Sequence, residues 1–304
     1  MNIPRKFSGI AIKARIGVAA ICGSLLAATV AFGLPATWPA PPMPSFAASA
    51  LGPETATASM SLPIPLPAWQ SFAVPSQTGS ALVAVIIDDM GLDRPRSARV
   101  LALPAPLTIS FMTYAGHLDE QAAQARQQGH EVMLHVPMQP LSASFDAGPE
   151  VLSDDLPSAE LRRRLVGDLD RLAGGYVGIN NHMGSRFTAN PAGMRVVMEE
   201  LHKRGLLFID SLTNGASVGI RMARQNGVPA AARDVFLDNA ESPSALARQL
   251  ERIEILAHRN GSVIVIGHPH DGTITALAAW LPSLPEKGLT LVPVTAVVMA
   301  RAAN

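Results

Sequence analysis

After position 80 of this 304-residue chain, acids, imidazoles and carboxamides stand at the ends of short apolar runs. Asp88-Asp89 follows Leu82–Ile87, His135 lies within Val132–Val136, and Asn180-Asn181-His182 follows Val177–Ile179. Asp210 closes Leu206–Ile209, Asp238-Asn239 closes Val235–Leu237, and Gly267-His268-Pro269-His270-Asp271 follows Val263–Ile266. Carboxylate oxygens and imidazole nitrogens are donors for a divalent metal, and the same groups move protons near neutral pH. An adjacent Asp pair suits a division of labour. Side chains alternate along an extended segment, so Asp88 and Asp89 are expected to point different ways, one to a metal and one to reacting atoms. Each residue alone has a simpler account. An Asp after a strand often caps a helix, and a lone His is often a hydrogen-bonded core or turn residue. Their convergence on one rim has no such account.

That convergence depends on the elements between. The apolar runs, with two more at Leu107–Phe111 and Leu289–Val294 making eight, are continuous and rich in β-branched residues, as in strands buried on both faces. Helically spaced segments separate them: Leu118–Gln128, Ser158–Leu172, Pro191–Arg204, Pro243–His258 and Ile274–Trp280. Alternation of this kind implies right-handed crossovers and a parallel sheet whose carboxyl ends share one face. The expected fold is α/β, a distorted (β/α) barrel of about seven or eight parallel strands, with a doubly wound open sheet as the alternative. No G-x-G-x-x-G follows a strand and no phosphate-binding G-x-x-x-x-G-K-[ST] occurs, which argues against nucleotide-binding forms.

The motifs resemble those of polysaccharide deacetylases. Val85–Gly91 (VIIDDMG) is similar to their strand with paired Asp, and Gly129–Pro140 (GHEVMLHVPMQP) to their second, histidine-bearing motif. Together with Gly178–Ser185, Phe208–Thr213, Val235–Asn239 and Ile266–Thr273, the pattern resembles the divergent polysaccharide deacetylase family of bacterial envelopes, over about Ala81 to Val298. The resemblance implies a zinc-dependent hydrolase that removes N-acetyl groups from envelope glycans. In that reading Asp89, His135 and His182 are the metal ligands, Asp88 the general base and His268 the general acid. Asn180, Asn181, Asp210, Asp238 and His270 orient neighbours or bind substrate. Two departures stand out. Met90 separates the Asp pair from its glycine, and Gln139 replaces the motif's second histidine, leaving His182 to supply the third donor that a catalytic zinc needs. No Arg-rich third motif is found, although Arg186 lies near. These departures keep open a non-catalytic module that binds metal or glycan.

Several residues read otherwise. Asp271 is open between a rim role and a cap for the helix beginning near Thr273. His117, His202 and His258 lie in or beside helical segments without a cluster, and Arg162–Arg164 reads as a solvated face offset by Glu160, Asp168 and Asp170. Gly215–Gly219 (GASVG) matches a serine-hydrolase elbow, making a Ser217 esterase a remote alternative. An elbow needs a strand running into its first glycine, and here polar Ser211–Asn214 intervenes.

Composition bounds the partners. Lys+Arg 24 balances Asp+Glu 24, and 20 bases against 23 acids follow position 80, which argues against nucleic acid. Cys22 is the only cysteine, so neither an intrachain disulfide nor a Cys-type zinc site is available. Arg5, Lys6, Lys13 and Arg15 flank an uncharged run from Ile16 to Leu34, long enough to span a bilayer. Residues 1–34 are therefore expected to be a membrane anchor or export signal, and 35–80, with ten prolines, a spacer without secondary structure. Residues 81–304 would be the catalytic or binding domain, on the periplasmic face of the inner membrane or free in the periplasm after cleavage.

Overall fold

A computed structural model describes residues 66–76, 78–79 and 81–303. The expected anchor and most of the spacer lie outside them, and among the described residues no helix is long and apolar enough to cross a membrane. The strands are β1 (Leu82–Met90), β2 (Thr108–Met112), β3 (Glu131–Met138), β4 (Gly178–Met183), β5 (Leu207–Asp210), β6 (Ala230–Ala232), β7 (Val235–Phe236), β8 (Ser262–Gly267) and β9 (Thr290–Leu291). The helices are α1 (Ala68–Ser71), α2 (Arg94–Leu101), α3 (Leu118–Gln127), α4 (Ser158–Leu169), α5 (Pro191–Arg204), α6 (Gly219–Gln225), α7 (Pro243–Asn260), α8 (Asp271–Trp280) and α9 (Val294–Ala302).

The strands form one curled parallel sheet in the order β6-β5-β4-β3-β2-β1-β8-β7, with β9 pairing β1. Among the described residues no ladder joins β6 to β7, so the sheet is an arc and not a closed barrel. Strand alternation sorts the side chains. Val83, Val85 and Ile87 join the apolar layer beneath the helices. Ala84, Ile86, Met133, Ile209, Ile264 and Ile266 fill the inside of the arc, where Val294, Val297 and Val298 of α9 pack against them. Two residues further along each strand, the inner row turns polar.

Three expectations change. Leu289–Val294 gives only the two residues of β9, because Pro293 lacks an amide donor and caps α9, whose first residue is Val294. The spacer is not free of structure at its end: Ala68–Ser71 make a helical turn, Trp69 is buried, and its amide donates to Gly205 O at 2.9 Å. Asp168 is buried rather than part of a solvated face, while Glu160 pairs with Arg163 and Arg164.

Candidate active site

The paired acids sit on a distortion of β1. Its register with β2 shifts between Ile87 and Met90, and Asp89 has a left-handed backbone with φ 54°. Asp tolerates that region better than most residues, though at a cost. The bulge overturns the alternation argument: Asp88 and Asp89 both turn inward, with Asp88 Oδ2 3.5 Å and Asp89 Oδ1 3.4 Å from His135 Nε2. Met90 is fully buried in the outer apolar layer and takes no part in the site. Gly91, at φ +96°, then makes a turn where a Cβ would meet Ala115 at 2.7 Å.

Asn180 organises this cluster from β4. Its Nδ2 donates to Asp88 Oδ1 at 2.8 Å and to Ser211 Oγ at 3.2 Å. Its Oδ1 accepts from Ser110 Oγ and from His135 Nδ1, the latter at 2.9 Å. An amide oxygen only accepts, so the network assigns the His135 proton to Nδ1 and leaves a lone pair on Nε2. That nitrogen stands within 3.5 Å of both carboxylates. His182 Nδ1 lies 2.9 Å from Asp89 Oδ1, yet no aligned hydrogen bond reaches this buried oxygen. The ligand atoms of Asp89, His135 and His182 lie within 4.8 Å of one another. Two imidazoles and a carboxylate, with ligand atoms gathered this closely and an unsatisfied buried oxygen among them, fit a divalent cation.

The electrostatics agree. Burial raises the Asp88 pKa, against the pull of His135 and His268. Burial works the same way on Asp89, but its contact with His182 and the imidazoles around it win, and its pKa falls. Burial lowers that of His135. Across the rim, His268 Nδ1 lies 3.0 Å from Asp238 Oδ1, and its Nε2 is 4.0 Å from Asp89 Oδ2. Burial alone would lower His268; the Asp238 hydrogen bond and the nearby acids push it up to about 9. Asp238 Oδ2 also accepts the His268 amide at 2.6 Å and Thr273 Oγ1 at 2.8 Å.

A second group, Asp238, His268 and His270, also converges within 4.8 Å. Its carboxylate is already saturated by hydrogen bonds, so it lacks the unsatisfied oxygen that marks the Asp89 cluster. His270 is 40% exposed and lies 3.8 Å from Glu241. Asp271 pairs with Arg96 and Arg99 of α2, outside the cluster. Asn181 orients the chain, its Oδ1 accepting the Ser211 amide at 2.9 Å. Asp210 is not at the reacting end. Its Oδ1 accepts the Leu212 amide at 2.9 Å and its Oδ2 accepts Ser217 Oγ at 2.6 Å. Ser217 is thus bonded to a carboxylate and to the Gly219 amide, and among the described residues no imidazole is bonded to it. Gln139 turns its Oε1 to the Asp154 amide at 3.0 Å, and Arg186 pairs with Asp154. Neither joins the cluster.

A family model described as divergent polysaccharide deacetylase matches residues 85–298. The chain belongs to that family. The uncharacterized protein YibQ of Escherichia coli K12 is 37% identical over 220 residues, covering 72% of this chain and 68% of the relative. An uncharacterized protein of Haemophilus influenzae Rd is 34% identical over 206 residues, covering 67% and 72% respectively. The crystal structure of uncharacterized protein ATU2773 from Agrobacterium tumefaciens C58 superposes with a TM-score of 0.74 at 28% identity, covering 76% of this chain and 95% of that one.

Within this member of the divergent polysaccharide deacetylase family the histidine-bearing motif is divided between scaffold and candidate site. His130 accepts the Leu107 amide on Nδ1 at 3.1 Å and turns Nε2 to Leu101 O at 3.0 Å. Glu131 accepts from Thr295 Oγ1, and from the Thr295 amide and Thr108 Oγ1 at 3.3 Å each. Only His135 of the motif reaches the cluster. Sequence reasoning missed Ser110, Ser211 and Arg233. Ser110 and Ser211 had a signal, since each is a polar residue two positions beyond an inward apolar or inward polar neighbour on its strand. Arg233, just past β6, had none.

Proposed function

We propose that the protein is a divalent-metal-dependent hydrolase that removes N-acetyl groups from cell-envelope glycans. The observation that carries this reading is the unsatisfied, buried Asp89 Oδ1 with ring nitrogens of His135 and His182 within 4.8 Å of it and of each other. Asp89, His135 and His182 would hold the ion, with Zn2+ the best match to the donor set. A bound divalent ion supplies a Lewis acid that polarises the acetyl oxygen and makes water easier to deprotonate. Asp88, oriented by Asn180, takes the proton from the attacking water. His268, with Nδ1 fixed by Asp238, gives a proton from Nε2 to the departing amine as the C–N bond breaks. The products are acetate and a free amino sugar.

The test is acetate release from N-acetylated glycans and peptidoglycan with added Zn2+, comparing wild type with Asp88→Asn. A non-catalytic metal- or glycan-binding module is the second reading, favoured by Gln139, which lies in a loop where the family's motif places a histidine. Metal binding without acetate from any glycan would select it. The basic flank, the uncharged run of residues 16–34 and the proline-rich spacer support export, with the domain held at the periplasmic face of the inner membrane or released there. Fractionation that found the full chain soluble in the cytoplasm would end that part of the proposal.

A further inference from the structure

Arg233 lies in the gap between β6 and β7, where the sheet fails to close. Its Nε donates to Ser211 O at 2.7 Å and its Nη2 to Leu212 O at 3.0 Å. Both acceptors are neutral main-chain carbonyls, and among the described residues Arg233 makes no ion pair. A guanidinium has five N–H donors, so three remain for a ligand. The other arginines around the rim are committed: Arg96 and Arg99 to Asp271, and Arg186 to Asp154. The rim acids are engaged as well, Asp210 by Ser217 and Leu212, and Asp238 by His268 and Thr273. Arg233 is therefore a permanent cation with no carboxylate in direct contact, although Asp210, Asp88 and Asp234 lie near enough to favour its charge.

Its position ties it to the chemistry. The guanidinium carbon stands 4.8 Å from the centre of the Phe236 ring, and that ring lies 5.2 Å from the His268 ring. One aromatic side chain separates the cation from the proton donor, a separation that a single sugar and its substituents span. Burial pushes the Arg233 pKa down, outweighing the favourable fields of Asp210, Asp88 and Asp234, none of which touches the guanidinium. Fixed, planar and short of a partner, it matches a carboxylate, which two parallel N–H groups bind in a fork.

We infer that Arg233 forms an anion subsite beside the reacting centre, and that the substrate is an N-acetylated glycan carrying a carboxylate next to the scissile acetamide. This rests on the hydrolase reading and narrows its substrate class. The carboxylate has two sources in glycan chemistry: an O-lactyl ether on the acetylated ring, or a uronate on the neighbouring ring. A purely structural Arg233 would clamp Leu212, whose backbone is left-handed at φ 49°, and would be indifferent to substrate charge.

The experiment compares N-acetylated disaccharides bearing each carboxylate with the same compounds converted to carboxamides. Binding to the full-length protein is read by calorimetry with and without Zn2+, and acetate release is read in parallel. Wild type should bind one carboxylate form about ten-fold or more tightly than its carboxamide, as a charge-assisted bond adds that much. The preferred compound identifies the source. Arg233→Gln should abolish the preference and Arg233→Lys should keep part of it. Equal binding of both forms by wild type overturns the inference without recourse to any variant, and so does a preference that survives in Arg233→Gln. Acetate release without charge preference removes the subsite alone; charge preference without acetate from any compound removes the hydrolase reading and leaves the subsite standing.

Discussion

Glu131→Gln should change how the stability of the protein depends on pH. Glu131 is fully buried at the start of β3, where its carboxyl ties Thr108 to the first turn of α9 through Thr295. Burial, outweighing those hydrogen bonds, lifts its pKa from 4.5 to about 7. In the folded chain it therefore stays protonated over a range in which the unfolded chain has released the proton. The unfolded state binds fewer protons there, so stability is greatest below the unfolded pKa and is lost as pH rises through the folded one. One pKa unit corresponds to about 1.4 kcal/mol, so the wild type should lose about 3 kcal/mol between about pH 4.5 and 7.5 through this group. Gln has no proton to release. The difference between wild-type and variant unfolding free energies, from urea titrations of the full chain at several pH values, isolates Glu131 from His130 and Asp168, which also titrate. In thermal scans the same term amounts to on the order of 10 °C across the range. Parallel pH profiles for the two proteins would refute the reasoning.

Adjacent isosteric changes at the paired acids should fail differently. Asp88→Asn should keep the metal and lose roughly 10²–10⁴ in turnover, whereas Asp89→Asn should weaken metal binding itself, with partial rescue by excess Zn2+; equal metal loss in both would contradict the assignment. Asn180→Ala strips His135 of the acceptor that fixes its tautomer, so metal affinity measured by chelator competition should fall by about 10–100-fold. Unchanged affinity would show that Asn180 does not set the imidazole. Ser217→Ala should retain acetate release and lower stability by about 1 kcal/mol, the worth of its bond to Asp210. Loss of turnover with the metal still bound would bring the serine back into consideration.

Much of the site was legible because the inner apolar row of each strand runs on into it. Ile86 leads to Asp88, Met133 to His135 and Ile266 to His268, each two residues further on the same face. The same rule, applied to β5, points from Ile209 to Ser211 and not to Asp210, which faces the helices and fastens α6. Asp89 broke the rule, because a bulge and a left-handed residue bring it to the face that alternation denies it, and nothing local in VIIDDMG marks that turn. The Ala230–Ala232 strand has no apolar signature, being small residues held by neighbours rather than by their own burial. Arg233 follows that strand, so its approach to Phe236 and His268 was invisible for the same reason.

The unclosed arc leaves two strand edges, and an edge is a template on which another chain can polymerise. Here neither offers much purchase. β6 has three residues and β7 two. Asp234, between them, pairs its own backbone and side chain with Ile264, its amide donating to Ile264 O at 2.8 Å and its Oδ2 accepting the Ile264 amide at 2.7 Å. Arg301 holds the same carboxylate at 2.6 Å. These bonds hold the gap residues against β8, and a foreign strand adding at the opening would find two short edges beside a half-buried ion pair. The opening is therefore guarded against aggregation by the brevity of its edge strands and the charges beside them.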